Sequence, residues 1–349
     1  MSNRLQDRSA IRRGSIVMRH VYALAALLAS TTPSLAYNVS VAGWHIQNLA
    51  TKDPLTLVGC EMKRDFQTRT KLSIIVSTQY EWAIGVTDEA WNRQKGEKVD
   101  IVVRVDGKVV ASGKATYLNA KSAVLPLSDA GSYRALQAGQ RLEVETSKPP
   151  HNLDFPLGGA TDAMYAVLSC VKTLLPRPAK TTSQPGKNAQ IVSADDVMKM
   201  LVGVLQKAGV KNYRLNPSAQ QDDQISQSIT FDLPGGTSGM LLALRGSGTA
   251  TADQYARHVI GNLFDVCKGK FLSGKESIPT ADGSVARKVV STCRAESGFT
   301  VVAEVNITRR PDGFLTEFAQ FSSGDAAKSD NDLSRAKLVD AVMKLQDAH

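Results

Sequence analysis

The chain of 349 residues carries 42 basic and 33 acidic side chains, a formal charge of +9 that would suit a nucleic-acid or membrane binder. The excess is not concentrated in either half. The first 36 residues hold five Arg and one Asp, residues 37–175 hold 16 basic and 14 acidic side chains, and residues 191–349 hold 18 of each. Nucleic-acid binding requires a clustered basic patch on a folded face, so this distribution argues against that class of partner.

Residues 1–36 have the layout of an export signal. Three arginines between positions 12 and 19 precede an uncharged apolar stretch, residues 21–29, and a small-x-small cleavage site at residues 34–36. The apolar stretch is too short to span a bilayer, and no later run reaches the 18 or so residues that a transmembrane helix requires. The sequence therefore predicts a periplasmic or secreted protein whose mature chain starts at Tyr37.

Two alternatives concern the signal itself. Met18 is a second possible start, and the compact signal that it leaves is slightly favoured over a start at Met1. The pair Arg12-Arg13 could suggest the twin-arginine route, but the Gly14-Ser15-Ile16 that follows is a poor match. An ordinary Sec signal is the better interpretation.

The four cysteines predict two disulfides, one in each half of the mature chain. Cys60 and Cys170 precede the Pro-containing segment 176–190, and Cys267 and Cys293 follow it. An even count in an oxidising compartment is typical of disulfides, and pairing within each half is the connectivity that respects two domains. No pair has C-x-x-C spacing, so neither a redox enzyme nor a thiolate metal site is expected, and no cofactor is predicted.

The first half is dominated by strand patterns. Residues 71–78, 81–86, 99–105 and 141–146 are predicted strands, and Asp106-Gly107 predicts a hairpin turn after the third of them. A helix over residues 159–175 closes this half, because Met164, Val167, Leu168, Val171 and Leu174 share one face. Cys170 lies on this helix, so a bond to Cys60 would attach the helix to the β layer.

Residues 176–190 contain three prolines and no large apolar side chain, which predicts a linker. A helix follows, with Ser193 as its cap and Gly209 at its end. Strands over residues 228–233 and 240–245 precede a second helix near Thr251, where Gln254 completes a capping box. Strands 286–295, 299–308 and 314–321 form a predicted meander, with Asn306 and Thr308 on a solvent face, and a helix over 333–346 ends the chain.

Motifs that could carry chemistry each have a simpler explanation. Residues 269–275 match G-x-x-x-x-G-K, but Glu276 stands where a phosphate loop needs Ser or Thr, and a loop leaving a helix explains the match. No G-x-S-x-G elbow occurs, and His45, His151 and His258 are far apart in sequence. Paired carboxylates such as Asp195-Asp196 suit a helix start. No catalytic residue is therefore predicted.

Two groups of residues are candidate binding sites. Trp44, Trp82 and Trp91 crowd into the first half and could line a sugar or peptide groove, although core packing also accounts for them. Arg309 and Arg310 at a hairpin tip could clamp an anion, although a charged turn is the simpler interpretation.

The first half resembles the invasion-associated locus B type of periplasmic domain found in alphaproteobacteria. The likeness covers about 130 residues and rests on Trp44, the Cys60-Glu61-Met62 step, the Val-Asp-Gly hairpin and the Gly-Ala segment at residues 158–160. The resemblance implies an exported, non-enzymatic envelope factor, and it assigns no catalytic residue. The cysteine pattern of this chain is sparser than in that family.

Together these features predict an α+β protein. A signal over residues 1–36 precedes a β-rich, sandwich-like, disulfide-bonded domain closed by one helix (37–175), a linker (176–190) and an antiparallel sheet covered by helices (191–349). The expected function is that of a binding or adaptor module for an envelope protein or cell-wall component, without nucleic acid. The alternatives are a cell-wall or ester hydrolase with an interdomain site and a periplasmic carrier of a small ligand.

Overall fold

The computed structural model describes residues 37–50, 57–66, 69–127, 130–147, 150–175, 194–216, 226–233, 237–245, 251–279, 285–309 and 314–323. The predicted signal, the linker, the cap at Ser193, Arg310 and the final helix lie outside these ranges. The described residues from Asn38 onward belong to one compact unit. None of the described helices is long and apolar enough to cross a membrane.

The described residues of the first half form ten strands and two helices. They are β1 (Asn38–Val41), β2 (Trp44–Ala50), β3 (Leu57–Asp65), β4 (Thr70–Ser77), β5 (Trp82–Asp88), β6 (Lys98–Val105), β7 (Lys108–Tyr117), β8 (Ser122–Leu127), α1 (Ala130–Ala138), β9 (Arg141–Ser147), β10 (Pro150–Pro156) and α2 (Ala160–Leu174). The strands pair antiparallel in the order β1-β2-β3-β4-β5-β8-β7-β6-β9-β10. We call this the first sheet.

The predicted hairpin joins β6 to β7. Asp106 and Gly107 have φ angles of 49° and 79°, the positive values that a tight two-residue hairpin turn requires. The Asp106 carboxylate also accepts the backbone N–H of Arg141 at 2.9 Å, where β9 begins. One short sequence signal therefore places three neighbouring strands.

Helix α2 covers β2, β3 and β4, as its apolar face predicts. Met164, Val167, Leu168 and Val171 are buried there, and Cys170 bonds to Cys60 on β3. This predicted disulfide is confirmed.

The second half contains two described helices and seven strands. They are α3 (Ala194–Lys207), β11 (Tyr213–Asn216), β12 (Ser226–Leu233), β13 (Thr237–Arg245), α4 (Ala252–Val266), β14 (Gly269–Pro279), β15 (Val285–Ala295), β16 (Thr300–Arg309) and β17 (Phe314–Ser323). All pairings are antiparallel, in the order β11-β12-β13-β17-β16-β15-β14. This is the second sheet, so the α+β class is confirmed.

The two described helices of the second half lie on opposite faces of the second sheet. Leu201 and Leu205 of α3 pack with Phe318 of β17. The adjacent residue Glu317 points to the other face, where its carboxylate accepts a hydrogen bond from Tyr255 of α4. The second predicted disulfide is also confirmed, since Cys267, directly after α4, bonds to Cys293 of β15.

Three sequence-based expectations need correction. Residues 269–275 are not a loop but the start of β14, held by eleven paired positions with β15. Asn306 and Thr308 were expected to face solvent but are buried. They share a face of the sheet with Phe318, which packs against α3, and with Glu304, which Arg134 of α1 contacts at 3.3 Å. The first half also carries two helices instead of the single one that the apolar pattern predicted.

Candidate functional site at the junction of the two sheets

Two aromatic side chains of the first half fix the junction between the sheets. Trp82 of β5 donates its indole N–H to the carbonyl of Ser273 at 2.8 Å, and Tyr133 of α1 donates its hydroxyl to the carbonyl of Val290. The two rings stack with centroids 5.6 Å apart. Burial raises the pKa of the Tyr133 hydroxyl, so this group stays a hydrogen-bond donor at neutral pH. These buried hydrogen bonds set how the sheets meet.

Gly274 of β14 makes this contact possible. A Cβ atom at position 274 would lie 2.5 Å from Cε1 of Tyr133 and 3.3 Å from Cδ1 of Trp82. A side chain here would displace the stacked rings. Gly274, which belongs to the G-x-x-x-x-G-K match, therefore allows Tyr133 and Trp82 to pack closely against β14.

The β4–β5 turn extends the junction. Tyr80 is buried although its φ of 59° lies in the left-handed region, which costs a bulky residue about 1 to 3 kcal/mol. Burial, assisted by the negative charge of Asp265 in α4, raises the pKa of Tyr80 to about 12. The next residue, Glu81, is thereby placed beside β14.

A group of charged side chains lies next to this turn, and we call Lys275, Arg257, Arg287 and Asp253 the basic cluster. Lys275 Nζ lies 2.5 Å from Asp253 Oδ1, and Arg287 Nε donates to the same oxygen at 2.9 Å. Arg257 Nε is 3.9 Å from Asp253 Oδ2. Strands β14 and β15 and helix α4 each contribute, and the capping box at Thr251 and Gln254 fixes the helix start next to Asp253.

The basic cluster holds more positive than negative charge. Only 3% of the Lys275 side chain is exposed, and its second carboxylate neighbour, Glu81 Oε1, is 3.6 Å away. Burial by itself would raise the pKa of Asp253, but the hydrogen bonds and charges of Lys275 and Arg287 outweigh it and lower that pKa. Asp253 is therefore ionised at neutral pH. Three cations thus surround the half-buried carboxylate of Asp253 and the exposed carboxylate of Glu81.

Some donors of the basic cluster are unused. Arg287 Nη1 and Arg257 Nε are shielded from solvent, and neither makes a hydrogen bond to any residue that the structure describes. Buried N–H groups without acceptors cost free energy, so they mark a place where an additional acceptor would be stabilising.

A second polar contact lies on the same face of the second sheet. Tyr255 of α4 donates its hydroxyl to Glu317 Oε2 at 2.6 Å. Burial raises the pKa of Glu317, although this hydrogen bond opposes the shift. Burial and the neighbouring Glu317 raise the pKa of Tyr255 as well.

The three tryptophans are buried and do not present their rings as an open groove. Trp44 donates its N–H to the carbonyl of Gly158 at 3.1 Å, Trp82 lies in the junction, and Trp91 packs edge-on against Tyr117 with centroids 5.4 Å apart. Their burial is the placement expected of core residues. Arg309 is half-buried at the end of β16.

The structure brings together one pair that the sequence did not reveal. His151 Nε2 of β10 lies 3.2 Å from Asp88 Oδ2 at the end of β5, and the Asp88 carboxylate is buried. A carboxylate in this position can orient an imidazole as a general base. The other two described histidines, His45 and His258, lie on β2 and α4, and His258 Nε2 contacts Asn262 at 3.1 Å.

Comparison with known proteins adds no identification. No protein-family model matches the chain, and no curated protein sequence matches it.

Proposed function

We propose that this protein is an exported, non-enzymatic binding or adaptor module of the bacterial envelope, located in the periplasm or secreted. In this proposal a sandwich-like domain over residues 37–175 and an α+β domain over residues 191–349 act together. The two disulfides support an oxidising compartment. The resemblance of the first half to invasion-associated locus B type domains is consistent with it.

The observation that carries the proposal is the basic cluster. Its side chains come from three separate elements, converge beside the junction, and retain unused donors and excess positive charge. Ion pairs that serve stability alone gain most when their donors are all satisfied. A cluster with unused donors at a partly exposed position suits the binding of another molecule.

The test is crosslinking in cells followed by recovery of the mature protein and mass spectrometry of bound proteins and small molecules. We expect a reproducible envelope protein or cell-wall component. Recovery of the protein alone, at a crosslinking yield that captures a known envelope complex, would contradict the adaptor proposal.

The His151–Asp88 pair supports one second candidate, a hydrolase acting on cell-wall or ester substrates. The geometry supplies a base and a carboxylate that orients it, and a nucleophile is the further requirement. Incubation with peptidoglycan and ester substrates tests it. Turnover by the native protein that is lost in His151→Ala but kept in His258→Ala would favour the hydrolase over the adaptor.

A further inference from the structure

We infer that the basic cluster binds an oxyanion, a phosphate or carboxylate group of the ligand, and that Glu81 occupies the open side of the cluster until this group replaces it. The inference rests on the proposed binding function and deepens it by naming the ligand chemistry and a built-in competitor.

The charges leave room for one additional anion. Asp253 compensates one of three cations from inside the cluster, and the next carboxylate is Glu81 at 3.6 Å from Lys275 Nζ. The Glu81 side chain is 62% exposed, so water and salt screen its attraction to Lys275. Glu81 is therefore a weak, replaceable partner for a buried ammonium group.

The cluster is also reachable. The side chains of Arg257 and Arg287 are 31% and 21% exposed, so each borders solvent, while one guanidinium nitrogen of each is shielded and has no hydrogen-bond partner among the described residues. Guanidinium groups present several donors in one plane, which matches the oxygens of phosphate and carboxylate. Movement of the Glu81 side chain is the smallest change that would expose Lys275 to such a ligand.

The chemistry favours phosphate over a single carboxylate. A phosphate monoester carries about −1.5 to −2 charges at neutral pH and three strong acceptor oxygens, whereas a carboxylate carries one charge and two oxygens. The cluster offers three cationic side chains. We therefore expect phosphate to bind more tightly than a monocarboxylate.

The experiment measures binding of inorganic phosphate and of acetate to the mature protein by calorimetry at low ionic strength. Arg287→Gln should weaken phosphate binding by roughly tenfold or more, because a charge-assisted hydrogen bond is lost. Glu81→Gln should tighten it severalfold, because the competitor loses its charge. Lys114→Gln is the matched control, since this exposed lysine pairs with Asp100 on the first sheet, and it should leave binding unchanged.

Glu81→Gln keeps the inference falsifiable, since an exposed side chain is changed and the fold should be retained. No phosphate binding by either the native protein or Glu81→Gln would overturn the inference, as would equal weakening by Arg287→Gln and Lys114→Gln. Vesicles containing phosphatidic acid, whose headgroup is a phosphate monoester, form a second arm. Binding to vesicles that Arg287→Gln abolishes would place the phosphate on a lipid, and binding of free phosphate alone would place it on a small molecule.

The two proposals fail in different ways. An envelope partner captured equally well by the native protein and by Arg287→Gln would keep the binding function and overturn the role of the basic cluster. Phosphate binding without any captured partner would overturn the adaptor function and keep the anion site.

Discussion

Adding a single methyl group at position 274 tests how closely the two sheets are packed. Gly274→Ala would force the rings of Tyr133 and Trp82 apart, and we expect the free energy of unfolding to fall by about 1 to 3 kcal/mol. Gly261→Ala is the control with the opposite sign. A Cβ at position 261 on α4 meets nothing within 4 Å, so alanine should stabilise this helix by about 0.5 to 1 kcal/mol. Urea unfolding measures both, and equal effects of the two variants would contradict the packing argument.

Two carboxylates should give the protein opposite dependences on pH. The raised pKa of Glu317 means that the folded state binds its proton more tightly than the unfolded state. The resulting contribution to stability is present below the ordinary Glu range and is lost as pH rises through the raised pKa. Asp253, with a lowered pKa, contributes stability above the ordinary Asp range and loses it as pH falls through that pKa.

Urea unfolding between about pH 3 and pH 8 checks these signs. Relative to the native protein, Glu317→Gln should gain stability as pH rises, because glutamine still accepts the Tyr255 hydrogen bond and carries no buried charge. Asp253→Asn should lose most at neutral pH and little in acid. Parallel pH profiles for the native protein and both variants would show that neither carboxylate is perturbed.

Residues with local roles were the ones that the sequence could identify. Asp106-Gly107 defines its turn by its own backbone preferences, and Thr251 with Gln254 forms its cap within one helical turn. The sequence around Lys275 does not indicate its ion pairs. Its partner Asp253 lies 22 residues earlier, in the first turn of α4, and its neighbour Glu81 lies in the β4–β5 turn of the first half. No local pattern records such a contact.

At the scale of secondary-structure elements, helix α4 links local capping to the basic cluster. Thr251 accepts the backbone N–H of Gln254 at 3.1 Å, and the Gln254 side chain accepts the Thr251 N–H at 2.9 Å. Thr251→Ala should cost about 1 kcal/mol of stability, and Thr251→Ser should retain most of it. Because Asp253 lies in the first turn, the same alanine variant should also weaken phosphate binding. An unchanged unfolding curve would mean that the cap contributes nothing.

Elements with a periodic pattern were predicted, and those defined by their neighbours were not. Helices α2 and α4 and strands β4, β5, β6 and β9 follow their apolar spacing. Strand β14 was missed because glycines at positions 269 and 274 indicate a loop. In the sheet they allow close approach: a Cβ on Gly269 would lie 2.1 Å from the carbonyl oxygen of Arg294. The requirement for each glycine comes from another element: β15 for Gly269, and α1 and β5 for Gly274.

At the scale of the whole molecule, the two disulfides should contribute unequally. The Cys60–Cys170 bond closes a loop of 110 residues and the Cys267–Cys293 bond one of 26. Loop entropy then gives about 4 to 5 kcal/mol for the first and about 3 to 4 kcal/mol for the second. Guanidinium unfolding of Cys60→Ala/Cys170→Ala and of Cys267→Ala/Cys293→Ala tests this order. A larger loss from the second pair would show that packing around α4 outweighs loop length.

The arrangement of the two halves could not be read from the chain. A Pro-containing segment at residues 176–190 predicts a division into domains, and that division stays a prediction. Composition does not tell whether the segments on either side meet, because the contacts that join them are formed by residues 191 and 157 positions apart, Trp82 with Ser273 and Tyr133 with Val290. Such contacts depend on the finished shapes of both sheets.

The Cys267–Cys293 bond makes the geometry of the basic cluster depend on oxidation. It connects α4, which carries Asp253 and Arg257, to β15, which carries Arg287. In the exported protein that we propose, the chain would first be in a reducing cytosol, where these two elements lack their covalent connection and the charges are held together by non-covalent contacts alone. Under the same proposal, the phosphate site would be completed only after oxidation outside the cytosol, so it would bind little of the phosphate that is abundant inside the cell.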